Sequence, residues 1–169
     1  MERILVSACL LGRPVRYDGG SKLRDDQILV RWQAEGRLVS CCPEIAGGLP
    51  VPRPPAELSV YGGAVAVRTE DGTDVTDFFT RGAAATLAVA RRHGVKMAVL
   101  KEGSPSCGSD RVHDGTFSGR SVPGAGVTTT LLRRNGIRVF NENDLHAAAA
   151  YLRELESSDI DSHPEKTRD

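Results

Sequence analysis

The sequence predicts an α/β protein: a single domain with a mostly parallel sheet flanked by helices, in a Rossmann-like three-layer arrangement with a small β-hairpin. Short apolar runs rich in β-branched residues alternate with helical segments, which is typical of parallel sheets. The chain has 169 residues, 40% of them hydrophobic, the size of one ordinary α/β domain. No internal repeat is visible. We expect one domain over residues 1–155 and a polar, disordered tail over residues 156–169.

The first third of the chain predicts two strands, a helix and a long loop. Residues 3–8, RILVSA, form a short apolar strand that Gly and Pro then interrupt. Residues 25–36 have helical apolar spacing, acids in the first turn and a closing glycine. Residues 37–42, RLVSCC, form the next strand. Residues 43–57 contain five prolines and two glycines, so we expect a stiff loop without regular structure.

The remaining segments continue the alternation. Residues 56–72 predict the hairpin, joined through YGG, and residues 74–94 predict an Ala-rich helix that ends at a glycine. A strand over 95–102 and a long loop over 103–125 follow. A short helix over 126–136, a strand over 137–140 and a helix over 141–156 complete the domain.

The charge balance and the N-terminus exclude several classes of protein. Lys and Arg together number 22, as do Asp and Glu, so the chain has no net field that attracts nucleic acid or an anionic membrane. We expect no stable nucleic-acid complex and no membrane association. The N-terminal apolar run is too short for a membrane span and lacks a cleavage pattern, which predicts a cytoplasmic protein.

Four cysteines are placed at the ends of predicted strands. Cys9, Cys41 with Cys42, and Cys107 each occur where a strand runs into a Gly- or Pro-rich loop. Ligands of parallel α/β sheets bind at the carboxyl ends of strands, so three loops can bring thiols together there. A reducing cytoplasm keeps thiols free, which favours metal binding or catalysis over disulfides.

Converging thiols are compatible with several roles. They suit zinc or an iron–sulfur cluster, in which a missing fourth cysteine leaves one iron open. The sequence has no CxxC motif, and only His113 is well placed to complete a zinc site. A free cysteine can also be a buried small hydrophobic residue without any chemical role.

Polar residues near these strand ends have two interpretations each. Glu44 is either a helix-start acid or a base beside the thiols. The group 101–109 consists either of solvated and turn residues or of a donor-rich pocket, with Lys101, Glu102, Ser104, Ser106 and Ser109 as members. Basic residues near the same face are either scattered surface charges or anion contacts: Arg13, Arg16, Lys22 and Arg53.

A glycine-rich stretch over 114–126 precedes the helix that begins near residue 127. Its backbone N–H groups are suited to an anion at a helix N-terminus. It matches neither the P-loop nor the dinucleotide-binding fingerprint, so ATP and NAD have little support.

Six stretches together resemble a known family. ILVSACLLGRPVRYDGG, CCPEIAGGLPVPRPPAE, DVTDFFTRGA, LKEGSPSCG, DGTFSGRSVPGAGVTTTLL and GIRVFNE occur in order over residues 4–142. They resemble the thiouracil desulfidases, a small bacterial and archaeal domain. The resemblance implies an oxygen-sensitive [4Fe–4S] cluster held by Cys9, Cys42 and Cys107. Cys41 stands where the family commonly has another residue, so it is left out as a ligand.

The resemblance also implies an activity, the non-redox removal of sulfur from thiolated uracil compounds. The substrate sulfur would bind the open iron, and water would attack the carbon. We expect Glu44 as the base and Ser104 as the residue that orients water or substrate. Substrate-binding residues are expected to be Arg13, Lys22, Arg53, Lys101 and Ser106. Some relatives carry a second, C-terminal domain, and we expect a stand-alone enzyme here, acting on a free base or nucleotide.

Two other functions stay open at this point. A cysteine-nucleophile enzyme would pass sulfur as a persulfide through Cys107 or Cys41. A non-catalytic module would bind zinc or a nucleotide and would not need Glu44.

Overall fold

Four parallel strands form the central sheet of the computed structural model, which describes residues 1–61 and 63–161. They are β1 (Ile4–Ser7), β2 (Leu38–Cys41), β5 (Met97–Leu100) and β8 (Arg138–Asn141), in the order β2-β1-β5-β8. Ile4 of β1 pairs with Leu38 on one side and with Met97 on the other. The predicted parallel sheet is therefore confirmed. The remaining strands are β3 (Ala56–Tyr61), β4 (Ala64–Thr69), β6 (Arg111–His113) and β7 (Ser121–Pro123).

Helices cover both faces of the sheet. They are α1 (Gln27–Ala34), α2 (Pro43–Ala46), α3 (Thr76–Arg92), α4 (Val127–Arg134) and α5 (Leu145–Asp161). Trp32 of α1 and Ala148 of α5 pack with Ile4 on one face. On the other face, Leu87 of α3 and Leu132 of α4 pack with Leu5, the next residue of β1. Successive residues of a strand point to opposite faces, so β1, which is buried throughout, joins both layers.

The hairpin predicted over residues 56–72 is present as β3 and β4, which pair antiparallel. Ala56 pairs with Thr69 at one end of the hairpin, and Tyr61 pairs with Ala64 at the other. Leu58 and Val67 of this hairpin pack against Phe79 of α3 in a third apolar cluster. The hairpin therefore lies beside the sheet and forms a separate wall next to its carboxyl end.

Three segments differ from the sequence predictions. Residues 43–57 were expected to lack regular structure, but they begin with α2, because Pro43 fits the first turn of a helix. The expected loop over residues 103–125 contains the antiparallel pair β6–β7. Residues 9–11, also expected to be loop, form a 3₁₀ turn together with Ala8, the last residue of the predicted strand, and this turn ends at Gly12, whose φ of 83° is left-handed.

The last helix extends beyond the predicted end of the domain. Helix α5 continues through Asp161, and Glu156 accepts a hydrogen bond from Arg37 at 2.6 Å. Residues 156–161 therefore belong to α5 and not to a disordered tail, and residues 162–169 lie outside the described residues. No helix within the described ranges has both the length and the apolar character of a membrane span.

Candidate metal centre and active-site cavity

A cavity of about 310 Å³ opens at the carboxyl end of the central sheet. The segments that follow β1, β2 and β5 contribute to its wall, and the hairpin and β6 close it from the side. Its lining consists of residues 7–9, 15–17, 22, 41–44, 53, 55–57, 101–105, 107 and 113. A cavity at the carboxyl edge of parallel strands is the expected position of an active site in this architecture.

All four cysteines lie in the wall of this cavity as free thiols. Cys9 lies in the 3₁₀ turn after β1, Cys42 begins α2, and Cys107 lies in the turn after β5. Cys41 is the last residue of β2 and pairs with Ser7 of β1. The three thiols predicted to converge from three separate loops do lie around one cavity, and Cys41 is there with them.

Burial is the main cause of a raised pKa at every one of these thiols. Together with the neighbouring Cys42, it raises the pKa of Cys9 to about 11. It raises the pKa of Cys41 to about 12 and that of Cys107 well above the usual value. Without a bound metal the thiols are therefore protonated at neutral pH, and a metal that binds them as thiolates releases protons.

The donor set suits an iron–sulfur cluster. Thiolate sulfur is the ligand that such clusters prefer, and Cys9, Cys42 and Cys107 reach the cavity from three directions. His113, the histidine indicated by the sequence for zinc, also lies in the wall. In the part of the chain that the structure describes, no three His, Cys, Asp or Glu side chains are close enough to hold a single metal ion.

Glu44 and Arg53 form an ion pair beside the thiols. Arg53 Nη2 lies 2.6 Å from Glu44 Oε2, and Arg53 also donates to the carbonyl oxygens of Val15 and Pro50. The side chain of Arg53 is only 5% exposed. Arg53 therefore joins the loop after β1, the start of α2 and the proline-rich loop around one carboxylate.

Ser104 organises the turn that carries Cys107. Its Oγ accepts hydrogen bonds from the backbone N–H groups of Ser106 and Cys107, at 3.1 and 3.0 Å. Because Oγ is an acceptor in both bonds, its own proton remains available. Among the residues that the structure describes, none accepts that proton. Ser104 therefore presents an O–H donor at the cavity wall.

The predicted substrate-binding residues separate into two groups. Lys22, Arg53 and Lys101 line the cavity, where Lys101 Nζ lies 2.6 Å from Glu142 Oε1. Arg13 is exposed and is not part of the wall. Ser106 is fully buried, and its hydroxyl is hydrogen-bonded to Thr128 of α4 at 2.8 Å. Ser106 therefore fixes the turn to α4, and we remove it from the substrate-binding set.

Glu102 is the main structural residue that sequence reasoning left undecided. Its Oε1 accepts backbone N–H groups of Gly103 and Ser109, and its Oε2 accepts the Asn141 amide at 2.8 Å. One carboxylate thus closes both ends of the turn 103–109 and attaches it to β8. Its position at the carboxyl end of an apolar strand indicated that Glu102 lies near the site. Its role could not be predicted, because the groups that donate hydrogen bonds to its carboxylate come from residues up to 39 positions away.

Two lining residues were not indicated by the sequence, Glu57 of the hairpin and Tyr17 of the loop after β1. Arg16, a candidate anion contact in the sequence, also lies in the wall. Glu57 Oε2 accepts the backbone N–H groups of Gly115 and Phe117, at 2.9 and 3.0 Å. Glu57 therefore holds the β6–β7 connection against the hairpin. A carboxylate in an alternating strand carries no sequence signal for such a role.

Comparisons with known proteins agree with this geometry. A solved structure described as the [4Fe–4S]-dependent thiouracil desulfidase TudS superimposes with a TM-score of 0.86 and is 54% identical, covering 90% of this chain and 99% of that one. The uncharacterized protein YbbK of Bacillus subtilis (strain 168) is 42% identical over 149 residues, which are 85% of this chain and 97% of the relative. The family model for 2-thiouracil desulfurase matches residues 4–144. The chain therefore belongs to the 2-thiouracil desulfurase family.

Proposed function

We propose that this protein is an iron–sulfur-dependent desulfidase that converts thiolated uracil compounds to the oxo form and releases sulfide. The observation that carries the proposal is the placement of three thiols, from three separate loops, around one cavity that also holds the Glu44–Arg53 pair. Family membership and the 54% identity to a thiouracil desulfidase support it. We propose that the protein acts in the cytoplasm, where thiols stay reduced, on a small molecule and not in a stable nucleic-acid complex.

Cys9, Cys42 and Cys107 would hold the [4Fe–4S] cluster as thiolates. When bound, such a cluster supplies a Lewis-acidic iron without a protein ligand, suited to the soft sulfur of a thiocarbonyl group. Cys42 and Cys107 have their places fixed by different elements, the start of α2 and the Ser104 turn. The protein thus provides a framework in which each ligand is oriented independently.

Glu44 would accept the proton of the attacking water. Both contacts from Arg53 go to Oε2, since Nε donates to the same oxygen at 2.7 Å. Among residues 1–61 and 63–161, Oε1 has no hydrogen-bond partner. Arg53 therefore orients the carboxylate through one oxygen, and the other can take a proton from water within the cavity.

Ser104 would stabilise the oxygen that enters the ring. Two backbone N–H groups hold its Oγ at a defined place in the turn, and its O–H group remains available as a donor there. A prealigned O–H donor stabilises negative charge that develops on an attacking oxygen. Ser104 would do so without first reorganising.

The proposed reaction balances as hydrolysis. Water and the C=S group give the C=O group and H₂S, so the oxygen of water replaces sulfur on the ring carbon. The two protons of water, one of them moved by Glu44, leave with the sulfur. No electron is transferred, so no external oxidant or reductant is required.

Basic side chains in the wall would bind the polar parts of the substrate. The ammonium group of Lys22 has no carboxylate partner among the described residues, whereas Lys101 is paired with Glu142 and Arg53 with Glu44. We therefore propose Lys22 as the main cationic contact for the substrate. Arg53 and Lys101 would contribute hydrogen-bond donors beside it.

The persulfide alternative has less support. Nucleophilic cysteines lie in partly exposed surroundings that lower their pKa, whereas burial raises the pKa of both Cys107 and Cys41. A zinc or nucleotide-binding module without catalysis is the remaining alternative, and metal analysis distinguishes it.

The deciding experiment is anaerobic purification, followed by iron and acid-labile sulfide analysis and a visible spectrum. Sulfide release is then assayed from 4-thiouracil, 2-thiouracil and 4-thiouridine 5′-monophosphate. We expect a brown protein that releases sulfide from at least one compound only when iron is bound. Zinc in place of iron, or no iron after anaerobic reconstitution, would overturn the proposal.

A further inference from the structure

We propose that His113 is a substrate-recognition residue whose imidazole hydrogen-bonds to the polar edge of the pyrimidine ring. The inference rests on the proposed function and adds a recognition residue to that site. His113 lies on β6 and is part of the cavity wall. The thiols reach the cavity from the segments after β1, β2 and β5, whereas His113 reaches it from β6.

The imidazole of His113 is polar, half-buried and unsatisfied. Its Nδ1 is buried and has no hydrogen-bond partner. Neither ring nitrogen bonds to any residue within the described ranges. A buried polar atom without a partner is unfavourable, and such atoms in folded proteins nearly always have a partner. Nδ1 itself has almost no accessible surface, so the atom that can reach a ligand in the cavity is Nε2, which is accessible and also lacks a partner among the described residues.

The backbone around His113 is held without help from its side chain. His113 pairs with Ser121 of β7, and Val112 forms a bridge to Gly103 in the wall. The next residue, Asp114, donates its backbone N–H to Arg120 at 3.1 Å. The imidazole is therefore not required to build the β6–β7 pair, which leaves its polar atoms without a structural task.

The connection after β6 is also fixed to the hairpin. Glu57 accepts the N–H groups of Gly115 and Phe117, and Phe117 has a positive φ of 57°. A β-carbon at Gly115 would come within 2.9 Å of the Leu58 carbonyl oxygen, so the two segments are in close contact. The β6–β7 pair that carries His113 is thus held in place against the hairpin.

Three other polar residues of the wall are engaged by protein groups. Glu44 is bound to Arg53, Lys101 to Glu142, and Glu102 to backbone N–H groups. A thiolated uracil bound with its sulfur toward the cluster site of the cysteines would present its remaining N–H and carbonyl groups to other walls. The Nε2 atom of an imidazole can donate or accept one hydrogen bond, depending on its tautomer, which matches either of those groups.

The test compares anaerobically reconstituted wild type with His113→Ala, His113→Gln and His146→Ala. His146 is exposed on α5, outside the cavity wall, so its substitution is the matched control for loss of an imidazole. Iron per chain and the visible spectrum are measured first. Calorimetry then gives the Kd of uracil, and sulfide release from 4-thiouracil gives kcat and KM.

We expect His113→Ala to retain its iron while the Kd of uracil and the KM for the thiolated substrate rise about tenfold, the effect of one lost hydrogen bond. Because the contact lies away from the reacting carbon, kcat should change less than KM. His113→Gln, which keeps a donor and an acceptor, should lie closer to wild type. His146→Ala should match wild type in every measurement.

Two results would overturn the proposal. Unchanged Kd and KM in a fully iron-loaded His113→Ala would show that the imidazole does not bind the ring. Loss of iron from both folded His113 variants would make it a cluster ligand or a cluster support. If the wild type releases no sulfide, the proposed function fails, whereas the Kd of uracil still decides the role of His113.

Discussion

Arg53 binds Glu44 through a single carboxylate oxygen. Nε and Nη2 of Arg53 lie 2.7 and 2.6 Å from Oε2 of Glu44, and none of the described residues donates to Oε1. A glutamine at this position can keep the contact to Arg53 through its carbonyl oxygen, but it cannot take a proton from water. The pair therefore allows the chemical role of Glu44 to be separated from its structural role.

We expect Glu44→Gln to lower kcat at least about a hundredfold, the smaller end of the range for a general base. Iron content and thermal stability should stay near the wild-type values, because the Arg53 contact is retained. Sulfide release from 4-thiouracil is the measurement, with iron per chain as its control. Wild-type turnover in this variant would remove Glu44 from the role of base.

Substitution of Ser104 tests the proposed O–H donor. Ser104→Ala removes the donor together with the acceptor for the N–H groups of Ser106 and Cys107, so we expect kcat to fall about tenfold or more. Ser104→Thr keeps the hydroxyl and should retain most of the activity. Both variants are assayed at equal iron content. Equal loss of kcat in both would mean that the hydroxyl is not the group that matters.

The two adjacent cysteines are predicted to differ. Cys42→Ser should lose most of its iron, because Cys42 is a proposed ligand, whereas Cys41→Ser should retain it. Iron and acid-labile sulfide per chain after identical reconstitution are the measurements, and Cys9→Ser and Cys107→Ser serve as references for ligand loss. Loss of iron from Cys41→Ser with retention in Cys42→Ser would exchange the two assignments.

Helix α2 is brought against α3 by two glycines. A β-carbon at Gly82 would overlap the carbonyl oxygen of Pro43, and one at Gly47 would overlap that of Phe78. Glycine is therefore required where the backbones approach each other. This contact sets the position of α2, which begins next to Cys42 and carries Glu44.

We expect Gly82→Ala to destabilise the protein by about 2 kcal/mol through overpacking and to lower its iron content. Thermal unfolding and iron analysis measure the two effects. Ala84→Ser, at an exposed position of the same helix, is the control and should change neither. Normal iron content and stability in Gly82→Ala would show that α2 can shift without cost.

Glu102 predicts a pH dependence of stability. Burial alone would raise its pKa, but backbone N–H groups of Gly103, Arg111, Asp110 and Ser109 outweigh burial and lower it. The folded pKa lies below the unfolded value of about 4.3, so the carboxylate stabilises the fold above that pH. This stabilisation is lost as the pH falls through the folded pKa.

Glu102→Gln should be less stable than wild type by about 2 kcal/mol at pH 7, because its amide cannot replace a carboxylate bound to several N–H donors. As the pH falls below the unfolded value of about 4.3 and through the lower folded pKa, the difference should shrink, since only the wild type loses this contribution. Denaturant unfolding of the cluster-free protein measures it, with the exposed Glu154→Gln as control. A difference that stays constant with pH would contradict the assignment.

Local patterns were sufficient to predict the elements that fill the core. The strands have buried apolar residues, and the long helix α3 has an apolar face, so their periodicity is visible in sequence. Strands β6 and β7 have three residues each and lie in a Gly-rich segment, where no period can be recognised. For that reason the sequence predicted a loop there, and His113 was not predicted to contact the substrate.

The roles of the serines could not be separated in sequence. Ser104 and Ser106 are two residues apart in the same turn, yet only Ser104 lies in the cavity wall. A β-carbon at Gly126 would overlap the carbonyl group of Ser106, so the start of α4 packs directly on that residue. Contact between segments distant in sequence decides which hydroxyl is buried.

The sequence by itself determined the α/β class, the family and the placement of the thiols at strand ends, because parallel strands bring their carboxyl ends to one edge. Tertiary structure alone decided which polar atoms are free within the cavity. Oε1 of Glu44, the proton of Ser104 and the His113 imidazole are available because Arg53, the Cys107 turn and the β6–β7 pair fix their surroundings. Hydrogen-bond satisfaction depends on donors and acceptors from distant segments, and local sequence does not contain that information.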